Sequence, residues 1–275
     1  MTGLLTLSLV VPAAAAAGAL ALTRHGRRRR ETYRALAERR ASQIAGREFP
    51  LQGVPDPQAL HTDFERDRIV RVGGVLAPDS LAELRAESEA SRPLAERSFI
   101  PRHKKGGTLS YEAIHGRAPA CLAFYHSGAL REWLSGVVGQ PLVPTADHDQ
   151  SSCSILYYDQ AGDHIHWHYD YDFYRGRHFT VLLSLVNRSA DGGISSGRLM
   201  QRTKAGEVIE FDTSEGVLVL FEGARVFHRA SPVAEGDLRV MLSMTFCTDP
   251  RIHPLKELAR RVKDTAYYGP RALID

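Results

Sequence analysis

The second half of the chain alternates short apolar runs with turn residues. The runs are rich in β-branched and aromatic residues, and Gly192, Gly193, Gly216 and Gly236 lie between them, which is the pattern of strands joined by turns. We predict strands at 69–72, 153–158, 179–186, 207–211, 217–221 and 239–247. Many short strands with regular turns are typical of a sandwich or a jelly roll.

Helical patterns lie mainly before the strands. Asp79 or Ser80 is positioned to cap a helix that continues to about Ser91, since both side chains accept hydrogen bonds from helix N-termini. Further helices are predicted at 31–46, 130–138 and 257–262, and Pro50, Pro55 and Pro57 predict a linker. The fold class is therefore α+β, mainly β, with helices preceding a β-rich core.

The first 30 residues of the chain differ in composition from the rest. Residues 4–22 carry no charge, and a run of this length approaches what a helix needs to cross a bilayer core. Arginines follow at 24 and 27–30, and basic residues beside a membrane span tend to stay cytoplasmic. We therefore predict an N-terminal transmembrane helix and a single-pass membrane protein whose main domain faces the cytoplasm. A cleaved signal peptide and an organellar transit peptide are the alternatives.

These patterns divide the chain of 275 residues into three segments. Residues 1–30 are the predicted membrane anchor with its basic flank, and residues 31–66 a juxtamembrane helix and linker. Residues 67–275 are the predicted folded domain, with the β-rich core at about 150–250. That length suits one domain of moderate size.

Charge and cysteine content argue against two kinds of binding site. The net charge is only +3, and much of the basic excess falls at 24–30, so we predict no nucleic-acid partner, which needs a basic patch on the folded surface. Cys121, Cys153 and Cys247 are far apart and form no CxxC pair. That spacing argues against a zinc–thiolate site and a disulfide framework, and favours a reducing compartment.

Residues 162–170 contain histidines at 164, 166 and 168 and aspartates at 163 and 170. Residues two apart on a strand point to the same face, so His168 and Asp170 can bind one metal ion from one side. His228 follows a strongly apolar strand and is the candidate third ligand. Two histidines and one carboxylate form the facial triad typical of non-haem Fe(II) oxygenases, although zinc, manganese and nickel accept the same ligands. His164 and His166 share the parity of His168 but lack a carboxylate two positions on.

Arg239 lies inside the apolar strand that follows His228. A buried guanidinium is costly unless it meets an anion, and its planar fork matches a carboxylate bidentately. The distal carboxylate of a dicarboxylic co-substrate fits this requirement. A metal protein of the cupin type has no need for such an arginine.

With these residues in place, the chain from about 69 to 250 resembles the Fe(II)/2-oxoglutarate oxygenase superfamily, and within it the prolyl-4-hydroxylase-like branch. The matching pieces, in chain order, are Tyr158, Gly162, the HxD motif of His168 and Asp170, the strand 179–183, Gly192 and Gly193, the run 216–221, His228, and the segment 232–239. The specificity of the resemblance lies in the order and spacing of so many pieces.

The resemblance implies a double-stranded β-helix (jelly roll) core. It implies that His168, Asp170 and His228 bind Fe(II) and act in catalysis, and that Arg239 binds 2-oxoglutarate as co-substrate. Hydroxylation of a substrate would release succinate and CO2, with ascorbate or another reductant as a possible helper. Small-molecule, lipid and protein substrates all remain open. The alternatives are a cupin-like metal protein and a catalytically inactive membrane scaffold.

Four features of the sequence refine this expectation. One extra residue precedes Gly162, so either Tyr158 or Tyr157 is the co-substrate's hydroxyl partner, and Thr180 is a further candidate contact. The glycine pair at 192–193 lacks the usual Glu-Thr after it, which argues against peptidyl proline as substrate. The chain is also similar to bacterial amino-acid halogenases, which carry a small residue at the position of Asp170, so hydroxylation is favoured over halogenation. The basic run 102–105 is read either as part of a segment that covers the site or as an ordinary charged turn.

Overall fold

The computed structural model describes residues 31–252 and 254–268 of the chain. Residues 31–44 are helical and are called α1 here. The other helices are α2 (Pro57–Asp67), α3 (Pro78–Ser91), α4 (Tyr111–Arg117), α5 (Pro119–Tyr125), α6 (Gly128–Val138) and α7 (Pro254–Tyr268), and a short 3-10 turn spans Arg92–Leu94. The helices predicted near 80, 130 and 257 are all present. The predicted cap at Asp79 or Ser80 is wrong, because α3 begins at Pro78 with Ala77 at its N-cap and no side chain caps it.

Twelve strands are present among the described residues. They are β1 (Ile69–Val72), β2 (Glu96–Ile100), β3 (Lys104–Leu109), β4 (Val143–Pro144), β5 (Cys153–Tyr158), β6 (His164–His168), β7 (His178–Arg188), β8 (Leu199–Arg202), β9 (Val208–Phe211), β10 (Leu218–Phe221), β11 (Phe227–Ala230) and β12 (Leu238–Cys247). All six predicted strands are among them, with ends that differ by at most two residues. The polar strands β2 and β3 carry no alternation of apolar and polar residues that would have revealed them.

All strand pairs are antiparallel, in the order β1-β10-β7-β12-β5-β3-β6-β11-β8-β9, with β2 beside β3 and β4 beside β12. Strand β3 pairs with β5 near its C-terminal end and with β6 near its N-terminal end. It therefore joins the larger half of the sheet to the smaller half that carries β6, β11, β8 and β9. The core is mainly β and of the jelly-roll type, with flanking helices, as predicted.

Strand β7 shows how the chain separates its two apolar layers. Phe179, Val181 and Leu183 pack with the helices in one core cluster. Leu182 points the other way and packs with Phe221 in a second cluster between the two halves of the sheet. Because successive side chains on a strand face opposite sides, a strand buried on both faces has the nearly continuous apolar sequence seen here. The second cluster borders the interior in which the candidate site lies.

Helix α2 occupies the region that the three prolines predicted to be a linker. The Asp56 side chain accepts a hydrogen bond from the Gln58 amide, and Pro57 occupies the first turn, where its missing N–H costs nothing. Phe64 is fully buried in the larger core cluster. The prolines therefore mark the start of a packed helix, and the linker interpretation of Pro57 is corrected.

The burial of Phe64 gives a measurable expectation for stability. Phe64→Ala should lower the free energy of unfolding by about 3–5 kcal/mol, because it leaves a cavity in the core. Urea denaturation measures the change, with Gln58→Ala on the exposed face of the same helix as the control. A loss below about 1 kcal/mol would show that α2 is peripheral to the fold.

The predicted transmembrane helix at 4–22 lies outside the described residues. Within 31–252 and 254–268, no helix is both long and apolar enough to cross a bilayer. The predicted localisation, a single-pass membrane protein with its catalytic domain facing the cytoplasm, is therefore corrected: the structure shows no spanning helix on which to base it.

Candidate metal and co-substrate site

Strand pairing brings the two candidate histidine ligands together. His168 ends β6 and His228 lies on β11, and the two residues are direct partners in the antiparallel register. Their ring centroids are 4.3 Å apart. Asp170 lies two residues beyond the end of β6, outside the strand, and its carboxylate still approaches both histidines.

The three side chains present a compact set of ligand atoms. Asp170 Oδ1 lies 3.4 Å from His168 Nε2 and 3.7 Å from His228 Nε2. The ligand atoms of all three residues lie within 4.8 Å of one another. His164 and His166, the weaker candidates, do not belong to this group of ligand atoms.

Backbone carbonyls fix the orientation of both imidazoles. His168 Nδ1 lies 2.7 Å from the His166 carbonyl oxygen, and His228 Nδ1 lies 2.9 Å from the Val226 carbonyl oxygen. A carbonyl can only accept, so each Nδ1 carries a proton, and in the neutral ring each Nε2 keeps its lone pair. This is the tautomer that a metal ligand needs, held by the partner groups usual for such sites.

The carboxylate of Asp170 is held equally firmly. Thr180 Oγ1 donates to Asp170 Oδ2 at 2.6 Å, and the Asp170 amide donates to the Gly223 carbonyl at 3.0 Å. A side chain at Gly223 would place its Cβ 2.2 Å from Asp170 Oδ2, so only glycine permits this approach. One carboxylate oxygen is thereby fixed, and the other faces the two histidines.

The electrostatics of the triad favour a bound cation. Burial raises the pKa of Asp170, but His228, His168 and the Thr180 hydrogen bond together bring that pKa well below its usual range. Burial lowers the pKa of His228, so its ring is neutral. Burial also lowers the pKa of His168, but the hydrogen bond and charge of Asp170 raise it above the usual value. The site therefore attracts positive charge to the space between the carboxylate and the rings.

Thr180 provides a test of this orientation. Thr180→Val preserves the side-chain volume but removes the hydrogen bond to Asp170 Oδ2. Loss of a hydrogen bond that orients a metal ligand costs about 10- to 100-fold in metal affinity, and we expect a weakening of Fe(II) binding in that range. Competition with a chromophoric chelator measures it, and Thr62→Val on the exposed surface of α2 is the control. Unchanged affinity would show that Thr180 does not orient the ligand.

A cavity extends from the triad into the interior of the β core. Its lining includes the three ligands together with Leu156, Tyr158, Thr180, Leu182, Phe221, Arg239 and Met241. It also includes Lys104, Asp149, Phe173, His178, Lys263, Tyr267 and Tyr268. The part of this lining around Arg239 is called the first lobe here, and the part formed by Lys104 and the residues near α7 is called the second lobe.

Arg239 is the buried cation of the first lobe. Only 1% of its surface is exposed, and its guanidinium lies 5.2 Å from the centroid of the Tyr158 ring, its cross-strand partner. No carboxylate of the described residues forms a salt bridge with it, and its Nε is buried without a hydrogen-bond partner. Burial lowers the pKa of this guanidinium. An anion in the lobe would restore the missing charge and hydrogen bonds.

The structure separates the two tyrosine candidates. Tyr158 lines the cavity, whereas Tyr157 lies on the opposite face of β5, and its hydroxyl donates to the Ser88 carbonyl at 2.7 Å. Tyr157 is therefore excluded from the cavity, and Tyr158 remains. Thr180, expected to contact the co-substrate, lines the same cavity and donates its hydroxyl hydrogen bond to Asp170.

Sequence reasoning missed the second lobe. Lys104 belongs to the basic run 102–105, and nothing in its pattern distinguishes a buried strand residue from a charged turn. The contribution of α7 was also missed, although Tyr267 and Tyr268 give that helix an aromatic end that hints at packing. Tyr267 is hydrogen-bonded to His103, whose ring in turn contacts His168, with centroids 5.4 Å apart. The second lobe thus reaches the metal ligands through direct contacts.

Comparison with solved structures bears on the fold. The chain superposes on an oxidoreductase of the 2OG-Fe(II) oxygenase family from Burkholderia pseudomallei with a TM-score of 0.58 and 13% identity, covering 75% of this chain and 98% of that one. It matches a Pseudomonas putida prolyl-4-hydroxylase with a TM-score of 0.54 and 17% identity, covering 71% and 99%. The chain has the fold of the 2-oxoglutarate oxygenases.

A third match carries ligands. The epimerase SnoN from nogalamycin biosynthesis, in complex with Fe3+, alpha ketoglutarate and nogalamycin RO, superposes with a TM-score of 0.56 and 15% identity, covering 70% of this chain and 83% of SnoN. No protein-family model matches the sequence, and no curated protein matches it. The resemblance to the oxygenases inferred from sequence motifs is thus confirmed in the fold.

Proposed function

We propose that the protein is a non-haem Fe(II)- and 2-oxoglutarate-dependent dioxygenase that hydroxylates its substrate. The observation that carries the proposal is the joint opening of the His168, Asp170 and His228 triad and the unpaired Arg239 into one cavity. A triad alone suits several metals. The buried guanidinium beside it calls for an anionic co-substrate, which a cupin-like metal protein does not require.

The residues of the triad fit iron. His168 Nε2, His228 Nε2 and Asp170 Oδ1 would hold the ion on one face and leave its other positions free, as in facial-triad enzymes. Bound iron and 2-oxoglutarate would supply the oxidative chemistry, in which oxygen and 2-oxoglutarate yield succinate, CO2 and a hydroxylated product. The carboxylate of Asp170 keeps the coordination position that halogenases leave open, which supports hydroxylation.

The first lobe would bind and orient 2-oxoglutarate. Arg239 offers its guanidinium fork to the distal carboxylate, and the Tyr158 hydroxyl is available beside it. Leu182, Phe221 and Met241 line the space between the triad and Arg239. These apolar walls exclude water and strengthen the charge interaction at the arginine. The ligands in the SnoN complex support this choice of metal and co-substrate.

The substrate would enter the second lobe of the cavity, next to the triad and the co-substrate. Small molecules and peptides are both open as substrate classes, since the neighbouring structures include a prolyl-4-hydroxylase and an epimerase of nogalamycin biosynthesis. The missing Glu-Thr pair after Gly193 argues against peptidyl proline. Ascorbate or another reductant would keep the iron in its ferrous state.

Turnover of 2-oxoglutarate without added substrate tests the activity. The purified protein with Fe(II), oxygen and ascorbate should convert 2-oxoglutarate slowly to succinate, because oxygenases of this kind retain some uncoupled reaction. Zn(II) occupies the same ligands but carries no redox chemistry, so zinc-loaded protein is the control and should form none. Equal succinate in both samples, or none with iron, would contradict the proposal.

A further inference from the structure

The second lobe contains a cation of its own. Lys104 on β3 is only 2% exposed, and its Nζ lines the cavity region beside α7. The ammonium donates one hydrogen bond, to Thr108 Oγ1 at 2.6 Å, and lies 4.7 Å from the centroid of the Tyr267 ring. It forms no salt bridge with any carboxylate in the part of the chain that the structure describes. An ammonium with three donors is thus buried with one neutral partner.

The other charges of the lobe are already balanced. Lys263 Nζ lies 2.9 Å from Asp264 Oδ1 and 3.3 Å from Asp149 Oδ1. Asp149 also accepts hydrogen bonds from the hydroxyls of Tyr174 and Ser151. These acids are therefore engaged elsewhere, and Lys104 is left without a counterion. Burial, with the charge of Lys263 added to it, lowers the pKa of Lys104 to about 7.

We propose that Lys104 binds a carboxylate group of the substrate, so that the enzyme acts on a small carboxylic acid. The inference rests on the proposed function, since it names the substrate class of the same site. Its role parallels that of Arg239: the cavity that holds the triad contains two buried cations, one for the co-substrate and one for the substrate. A carboxylate is favoured over a phosphate because one ammonium balances one negative charge, and Asp149 lines the same lobe.

Strand pairing places Lys104 and the triad around one cavity. Lys104 pairs with Ile165 in the β3–β6 register, and His168 lies three residues further along β6. The Lys104 ammonium reaches toward Thr108, and Tyr267 and Tyr268 line the cavity together with it. A carboxylate held at Lys104 would therefore leave the rest of the acid in the cavity that also holds the triad.

Binding to the loaded protein tests the inference. Full-length protein is loaded anaerobically with Fe(II) and 2-oxoglutarate, and short monocarboxylic acids and α-amino acids are titrated beside their primary amides. We expect at least one acid to perturb the visible spectrum saturably and its amide to bind about 10- to 100-fold more weakly, as for a charged hydrogen bond. Lys104→Met should remove this preference. Lys105→Met, at the exposed neighbour whose Nζ donates to the Ala161 carbonyl, should not.

A second readout needs neither iron nor activity. In metal-free protein, acylation by acetic anhydride is followed at each lysine by mass spectrometry. The acid that binds should protect Lys104 and leave Lys105 equally reactive. Because this labelling experiment does not depend on iron, it still tests Lys104 if the protein does not bind the metal at the triad.

Stability distinguishes a ligand-binding lysine from a structural one. Lys104→Met removes a buried charge that nothing balances, so the ligand-free variant should melt at least about 2–4 °C higher than the wild type. Burial lowers the pKa of Lys104 in the folded protein to about 7 from its usual 10.5. The burial cost is therefore largest below pH 7 and declines as the pH rises toward 10.5, because the unfolded chain then holds the extra proton. The difference in melting temperature between Lys104→Met and the wild type should therefore also become smaller as the pH rises.

Different results would contradict the role of Lys104 and the proposed function. The inference is overturned if no acid binds, if acid and amide bind alike, or if Lys104→Met keeps the preference for the acid. A Lys104→Met variant that melts lower and binds the acid unchanged would make Lys104 a structural residue. Lys104→Gln, which keeps a donor for Thr108, replaces it if the methionine variant does not fold. Absence of an iron–2-oxoglutarate band in the wild type would contradict the proposed function instead, while the metal-free labelling still tests Lys104.

Discussion

Asp170→Ala will bind Fe(II) at least about 100-fold more weakly than the wild type and will form no succinate from 2-oxoglutarate. Loss of a residue that only orients a ligand costs about 10- to 100-fold, and loss of the ligand itself costs at least as much. The two histidine Nε2 atoms would remain, but the negative charge that draws a cation between them would be gone. Equilibrium dialysis against Fe(II) measures the affinity.

The control for this variant is Asp191→Ala, which removes an exposed carboxylate from the loop before the glycine pair. Its iron affinity should match that of the wild type. Wild-type affinity in Asp170→Ala would mean that the metal is bound elsewhere, and the triad would have to be abandoned.

Arg239→Met will bind 2-oxoglutarate about 10²- to 10³-fold more weakly, while its affinity for Fe(II) stays unchanged. Removing one partner of a buried, hydrogen-bonded charge pair costs several kcal/mol, since the other charge is left unpaired. The affinity of Arg239→Lys for 2-oxoglutarate should lie between those of the wild type and Arg239→Met, because lysine keeps the positive charge but lacks the planar guanidinium. Titration of 2-oxoglutarate into the Fe(II) protein gives the constants.

Arg188→Met is the matched control, since Arg188 is 55% exposed and paired only with Glu89 among the described residues. It should bind 2-oxoglutarate like the wild type. Equal weakening in both variants would trace the effect to overall charge, and no weakening in Arg239→Met would leave the buried guanidinium without its proposed ligand.

The sequence revealed those site residues whose side-chain chemistry or spacing is unusual for the strand that carries them. His168 and Asp170 were identified because a strand places residues two apart on one face. Arg239 was identified because a guanidinium is out of place in an apolar strand. The strands of the larger half of the sheet were predicted because both of their faces are buried, which makes their sequences almost continuously apolar.

The features that were missed depend on tertiary contacts. Lys104 and the polar strand that carries it look like a surface turn until β5 and β6 are placed beside them. The choice between Tyr158 and Tyr157 follows from the register of β5, and adjacent residues on a strand always face opposite sides. Pro57 predicted a linker because proline breaks helices in their interior, yet it also suits the first turn of one. The local sequence alone does not determine any of these three features.

One titration tests the central claim most directly. The wild-type protein is loaded with Fe(II) without oxygen, 2-oxoglutarate is added, and the visible charge-transfer band of the iron chelate is recorded, with His168→Ala and Arg239→Met in parallel. The account predicts a saturable band in the wild type, none in His168→Ala, and a band that needs much more 2-oxoglutarate in Arg239→Met. No band in a wild-type protein that has bound iron would contradict the assignment of 2-oxoglutarate to this site.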